Sequence, residues 1–248
     1  MNRVLLITGA GRGIGAATAR LAASRGWDVV VNCARDLAAA ESVAADVRAA
    51  GRRAMVVAAD VADESAVQAM FAEIDREFGA LHGLVNNAGV VDVAQRVDEM
   101  SLARLQRMFA INVFGSMLCA REAVRRMSTR FGGSGGAIVN VSSVAARLGS
   151  PGQYVDYAAA KAAVDTFTHG LALEVAAEGV RVNAVRPGIV ETGIHASGGQ
   201  PDRAWRLAPL VPMQRPGQPE EIATAIVWLL SGEASYATGA ILDIGGGR

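Results

Sequence analysis

Apolar runs of strand length alternate with alanine-rich segments of helical period over residues 4–8, 14–25, 29–32, 37–50, 54–59, 64–78 and 83–87. Runs without polar alternation suit strands buried on both faces, and the intervening stretches have the length of crossover helices. The pattern predicts a doubly wound α/β domain, a mostly parallel sheet with helices on both faces that reaches seven strands once the later segments are added. Right-handed crossovers then gather the carboxyl ends of the strands along one edge, where ligands bind.

The first of those ends reads T-G-A-G-R-G-I-G, Thr8 to Gly15, between a strand and a helix. Glycines let the backbone approach a pyrophosphate, and the free N–H groups at the start of the helix favour the anion. In this strand–turn–helix context the motif predicts dinucleotide binding. An NAD site usually places Asp or Glu at the end of the second strand, to accept from the ribose 2′-hydroxyl. Here the strand closes with Asn32, Cys33, Ala34 and Arg35, none of them acidic. Arg12 and Arg35 could clamp a 2′-phosphate with charge-assisted hydrogen bonds, which favours NADP(H), with NAD(H) as the alternative.

Polar groups recur at the later strand ends: Asp60 after the third strand, Asn86-Asn87-Ala88-Gly89 after the fourth, Ser142-Ser143 after the segment 137–141. Asp60 could accept from an adenine amino group, and the small Ala88-Gly89 would admit a flat ring. Residues 101–127 read as one helix carrying Asn112 in an apolar stretch, and a buried amide there must find partners. Next comes Q-Y-V-D-Y-A-A-A-K, in which Tyr157 and Lys161 are four residues apart and should leave one face of a helix. Moving a tyrosine pKa from about 10 to about 7 requires roughly 4 kcal/mol of preference for the phenolate. A single positive charge about 4 Å away supplies that much at an effective dielectric near 20. Lys161 alone is therefore expected to bring Tyr157 toward neutral pH.

Together the motifs T8-G-A-G-R-G-I-G15, N86-N-A-G89, Asn112, Ser143, Y157-A-A-A-K161 and R186-P-G188 resemble the short-chain dehydrogenase/reductase family in its form of about 250 residues, over essentially the whole chain. The resemblance implies a Rossmann-type fold and hydride transfer between a nicotinamide cofactor and a ketone or secondary alcohol. Tyr157 would be the general acid or base, Ser143 the donor that polarises the substrate oxygen, and Lys161 the group that holds the nicotinamide ribose and lowers the tyrosine pKa. Asn112 would support the lysine through a water. Ser142 would point to the opposite side of an extended strand. The implied cofactor contacts are Gly9, Gly11, Arg12, Gly13, Ile14, Gly15, Cys33, Ala34, Arg35, Asp60, Val61, Asn87, Ala88, Gly89, Tyr157, Lys161, Pro187, Gly188, Ile189 and Thr192.

Six of the seven prolines fall within residues 187–219, so the stretch 188–218 reads as a substrate lid in which Trp205 and His195 could touch substrate. The run resembles oxidoreductases grouped with glucose dehydrogenases and with 3-oxoacyl-carrier-protein reductases. The latter tend to carry basic residues where this chain has Ser134 and Glu178, although Arg125, Arg126 and Arg130 lie close by. The resemblance further implies a homotetramer or homodimer. A cofactor-binding regulator without turnover is the reading of another class, and retention of both Tyr157 and Lys161 speaks against it.

With 24 basic and 24 acidic residues, nothing in the overall charge points to nucleic acid or an anionic membrane. Cys33 and Cys119 sit in apolar surroundings without metal-ligand spacing, which implies buried thiols, no zinc site and no disulfide framework. No linker of charged or low-complexity sequence divides the chain, so residues 1–248 are expected to form one domain. The short apolar run at the amino terminus and the lack of any membrane-length apolar stretch imply a soluble, cytoplasmic protein.

Overall fold

The computed structural model describes residues 3–248. Strands β1 (Arg3–Ile7), β2 (Trp27–Cys33), β3 (Ala54–Ala58) and β4 (Gly83–Asn86) alternate with helices α1 (Gly13–Ser24), α2 (Leu37–Ala49) and α3 (Glu64–Phe78). Helices α4 (Leu102–Phe109) and α5 (Gly115–Met127) lead to β5 (Gly136–Val141), a short α6 (Ala145–Leu148) and the long α7 (Val155–Val175). Strand β6 (Val180–Pro187), the small helices α8 (Ile194–Ser197) and α9 (Arg203–Arg206), then α10 (Pro219–Leu230) and β7 (Ile241–Ile244) complete the chain.

The seven strands form one sheet in the order β3-β2-β1-β4-β5-β6-β7, and every pairing is parallel. The expected mostly parallel sheet is thus entirely so. Its order reverses direction between β1 and β4, which opens a crevice at their carboxyl ends. Period-two alternation splits each strand between two cores. Leu5, Ile7, Val29 and Val31 pack under α1, α2 and α10, while Val4, Leu6 and Val30 pack under α3, α5 and α7. Each such side chain contributes about 1.5–3 kcal/mol of burial, which is why strands covered on both sides need no polar face. Strand β2 is longer than expected, running from Trp27, a buried ring on which Arg3 stacks, through Cys33.

The single helix expected over residues 101–127 is interrupted. Residues Ala110–Phe114 form a wide π-turn between α4 and α5, with the fully buried Asn112 inside it. The Asn112 amide donates to the carbonyl oxygens of Met108 (3.0 Å) and Val90 (3.1 Å), and its oxygen accepts from Val90 N (3.2 Å). The chain is therefore widened where a side chain must reach across to the loop after β4.

Helix α4 is bolted to α7 by a buried ion pair. The Arg104 guanidinium meets Asp156 through Nε at 2.8 Å and Nη2 at 3.3 Å, and also donates to Val93 O and Gln95 Oε1. Asp156 in turn accepts from the backbone N–H of Tyr157 at 2.9 Å. Both side chains are nearly or fully inaccessible. Arg104→Met would leave the buried Asp156 charge without its counter-ion, and the expected loss is about 3–5 kcal/mol in urea unfolding. A loss under about 1 kcal/mol would contradict the anchoring role given to this pair.

Candidate active site

The loop between β1 and α1 reaches its shape through Gly9 (φ +62°) and Gly13 (φ +55°). A Cβ on Gly9 would lie 2.9 Å from Ala88 Cα, so only glycine lets the β1 and β4 loops touch. Asn87 Nδ2 ties them by donating to Thr8 O (2.9 Å) and Gly9 O (3.0 Å), while Thr8 Oγ1 accepts from the N–H groups of Asn87 and Ala88. Buried Asn32 supports the loop from β2, accepting from Gly9 N at 3.2 Å and donating to Val57 O and Ala59 O. The Arg12 side chain does not cap α1, so the amino end of that helix is left facing the crevice. This glycine cradle fits a pyrophosphate.

The crevice is a cavity of about 760 Å³. Of the expected cofactor contacts, Gly9, Gly11, Arg12, Gly13, Ile14, Cys33, Ala34, Arg35, Asp60, Val61, Asn87, Ala88, Gly89, Tyr157, Lys161, Pro187, Gly188, Ile189 and Thr192 line it. Gly15 does not. It is buried behind the wall, where a Cβ would come within 2.6 Å of Asn87 Nδ2 and 2.8 Å of Gly9 O, so its smallness serves packing of the loop on itself. Asp36, unassigned from sequence, also lines the cavity, and its carboxylate accepts from Ala39 N at 3.0 Å as the cap of α2. An Asp three residues before that N–H is a readable capping signal. Asp60 is likewise engaged, accepting from Ala62 N at 3.0 Å.

Tyr157 and Lys161 leave the same face of α7, with Nζ 5.6 Å from the ring centroid. Ser143 neighbours the Tyr157 hydroxyl on the cavity wall and acts to lower its pKa, and the Ser143 Oγ accepts from Ala145 N at 3.1 Å. Ser142 points the other way and donates to Lys161 O at 3.2 Å, as alternation along β5 requires. Lys161 is 4% exposed and donates from Nζ to Val141 O at 2.8 Å. Asn112 does not reach the cavity wall. It meets the site through Gly89, where a Cβ would lie 2.8 Å from Asn112 Oδ1 and 3.5 Å from Lys161 Nζ.

The expected depression of the tyrosine pKa by Lys161 is not what this site produces. Burial pushes Tyr157 up to about 12, against a smaller lowering effect of the neighbouring Ser143 hydroxyl. Burial also brings Lys161 down to about 8, partly opposed by Asp165. Desolvation penalises the charged form of both groups, so it opposes the pairwise attraction on which the spacing argument rested. Asp165 lies one turn beyond Lys161 and is held by Arg186 at 2.8 Å. A second buried network, Asn86 Nδ2 to Asn140 Oδ1 and Asn140 Nδ2 to Thr168 Oγ1, fixes α7 against β4 and β5. Asn86 belongs to the N86-N-A-G89 motif, whereas Asn140 and Thr168 carry no motif signal and were not anticipated.

The segment after β6 folds over the cavity. His195 lines it and its Nε2 sits 3.0 Å from Val190 O, whereas Trp205 turns outward, 58% exposed, and donates to Glu191. Tyr154 and Arg203, which sequence reasoning did not single out, line the same wall. Among the described residues no group of three or more His, Cys, Asp or Glu side chains is placed to hold a metal ion, and no helix is long and apolar enough to cross a membrane. Cys33 and Cys119 are free and buried.

A parallel doubly wound sheet with a glycine cradle at its switch point defines a dinucleotide-binding α/β protein. A family model described as enoyl-(acyl carrier protein) reductase matches residues 9–248. An uncharacterized oxidoreductase of Escherichia coli, YgfF, is 55% identical over 245 residues, covering 99% of both chains. The cis-4-hydroxycyclohexanecarboxylate dehydrogenase of Sinomonas cyclohexanicum is 43% identical over 248 residues, covering 99% of this chain and 96% of its own. A short-chain type dehydrogenase/reductase of Mycobacterium marinum superposes with a TM-score of 0.92 at 33% identity, covering 99% of this chain and 94% of that one. The chain belongs to the short-chain dehydrogenase/reductase family, whose members are nicotinamide-dependent oxidoreductases acting on alcohols and ketones.

Proposed function

We propose that the protein transfers a hydride between NADP(H) and a small ketone or secondary alcohol, with Tyr157 as general acid and base. The observation that carries this reading is that Ser143, Tyr157 and Lys161 line the wall of the same cavity as the glycine cradle, with Lys161 Nζ 5.6 Å from the tyrosine ring centroid. The cofactor supplies the hydride. In the reducing direction the Tyr157 hydroxyl gives its proton to the carbonyl oxygen, and Ser143 steadies that oxygen by donating a hydrogen bond. A tyrosine held protonated by burial is poised to act as the acid, and Lys161 stabilises the phenolate left behind. Asn112 acts at one remove, by holding Val90 and the backbone around Gly89 against the lysine.

Arg12 and Arg35 supply the preference for NADP(H), with NAD(H) as the weaker partner. Both line the cavity, Arg12 from the β1–α1 loop and Arg35 from the β2–α2 loop, and the nearby Asp36 carboxylate accepts from Ala39 N as the α2 cap. The relative acting on cis-4-hydroxycyclohexanecarboxylate supports a small ring alcohol as substrate. A carrier protein is disfavoured, because Arg126 is matched by Asp75 and Glu122, Arg125 by Glu122, and Arg130 by Glu178. Residues 1–248 act as one domain with 188–218 as the lid, and the working assembly is a homotetramer or homodimer in the cytoplasm. Exposed Phe114 and Leu173, on the Asn112 turn and on α7, are candidates for that interface.

The test is oxidation of NADPH and NADH with a panel of cyclic and open-chain ketones, alongside fluorescence titration of both cofactors. Turnover should be faster with NADPH, and Arg35→Ala should weaken NADPH about tenfold or more while sparing NADH. Binding without turnover across the panel would defeat the catalytic reading. Unchanged NADPH affinity in the variant would defeat the phosphate clamp.

A further inference from the structure

Five guanidiniums line the cavity: Arg12, Arg35, Arg107, Arg203 and Arg248. The first two lie at the β1–α1 and β2–α2 loops, and Arg107 is matched by Asp92 at 3.7 Å. Arg203 differs from these. It opens α9, and its guanidinium stacks on the ring of Tyr154 at 5.0 Å from the centroid. It donates from Nη1 to Gln200 Oε1 at 3.3 Å, while Gln200 Nε2 donates to the Tyr154 hydroxyl at 2.8 Å. Among the described residues no carboxylate pairs with it. Burial lowers its pKa, Tyr154 opposes that, and the guanidiniums of Arg206 and Arg248 add repulsion.

A half-buried cation held only by neutral partners, with two more cations close by, is an uncompensated charge, and such a charge is unfavourable until an anion joins it. Tyr154 is 6% exposed, and its ring and Gln200 together hold the guanidinium in place. A planar fork suits the two oxygens of a carboxylate. Tyr154 also precedes Tyr157 by three residues at the start of α7, a separation of about 5 Å along the helix axis. Arg203, Tyr154 and Tyr157 thus line one cavity.

We propose that Arg203 is a substrate-carboxylate anchor, so that the protein acts on oxo acids and hydroxy acids whose carboxylate sits under the lid while the carbonyl or hydroxyl oxygen faces Tyr157. The assignment rests on the hydride-transfer reading of the site, and it adds a feature that reading does not require. Neutral ketones of the same shape would leave Arg203 unpaired and pass through the site less efficiently.

Two measurements separate the claims. In the first, the cofactor-saturated full-length protein is titrated calorimetrically with cyclohexanecarboxylate and with cyclohexanecarboxamide, neither of which can be reduced there. The acid should bind roughly 10- to 100-fold more tightly than the amide. Arg203→Met should bring the two together, and Arg203→Lys, which keeps the charge and loses the fork, should fall between. In the second, 4-oxopentanoate is compared with its methyl ester as a substrate. The acid-to-ester ratio of kcat/KM should be well above one in the wild type and fall toward one in Arg203→Met, and the ester rate in the same assay reports that the variant is folded. An amide that binds as tightly as the acid, or a preference that survives Arg203→Met, would overturn the anchor. Turnover of neutral ketones with no preference for the acid would overturn it too, while leaving hydride transfer intact. The binding preference without turnover of any carbonyl would instead reject hydride transfer and uphold the anchor.

Discussion

Lys161→Met is expected to damage two steps at once, weakening the nicotinamide cofactor by about 10- to 100-fold and slowing hydride transfer by about 10²- to 10⁴-fold. The double effect follows from where the ammonium sits. It is buried beside the Tyr157 ring and held by Val141 O, so the same charge faces both the cofactor crevice and the phenol. Methionine keeps most of the apolar stem while deleting the charge, which limits collapse of α7. A pH signature accompanies the loss. Because burial brings Lys161 down to about 8, the group is charged below that pH and neutral above it. Interactions that need the ammonium are therefore present at lower pH and fade as pH rises through about 8. NADPH affinity of the wild type should weaken across that window, and affinity of the variant should be flat. A variant that raised only the substrate KM would contradict the dual role.

The doubly wound fold was legible because parallel strands covered on both faces need apolar centres, and Val4–Ile7 of β1, Val29–Val31 of β2 and Leu84–Val85 of β4 supply them. The ligand edge was legible because a glycine cradle cannot be built from other residues: Gly9 has left-handed φ and no room for a Cβ. Legibility faded where an outcome depends on packing across the chain. The stretch F-A-I-N-V-F-G has apolar spacing that suits an α-helix, and only the demand of the buried Asn112 amide for Val90 and Met108 opens it into a π-turn. Gly15 and Asn112 belong to recognisable motifs yet stand behind the wall, because a motif shows which residue types recur and not which face a ligand.

The electrostatics were the least legible part. A four-residue spacing places a positive charge near a phenol, and Coulomb's law alone then lowers the tyrosine pKa. Enclosure of both groups reverses the sign, with Tyr157 near 12 and Lys161 near 8, and no sequence pattern reports how much water a side chain loses. Arg203 was hidden for a related reason. Its significance comes from the Tyr154 ring, 49 positions earlier, and from the absence of a carboxylate beside it among the described residues.

Tyr157→Phe removes one oxygen from the cavity wall and leaves the ring, the lysine and the glycine cradle in place. Without the hydroxyl, the wall beside Ser143 loses its proposed proton donor, so the developing alkoxide must take its proton from water. Loss of a positioned general acid removes about 10²- to 10⁴-fold, and the accompanying loss of its hydrogen bond to the oxygen places the total toward the upper end. Cofactor affinity should change by less than about threefold, because phenylalanine preserves the packing against Lys161. The decisive measurement is single-turnover oxidation of bound NADPH by a ketone that the wild type reduces, followed by absorbance in wild type and Tyr157→Phe. The expected result is a fall in the hydride-transfer rate of about 10³-fold or more with NADPH affinity retained. A rate within about tenfold of wild type, at equal cofactor occupancy, would show that Tyr157 is not the proton donor.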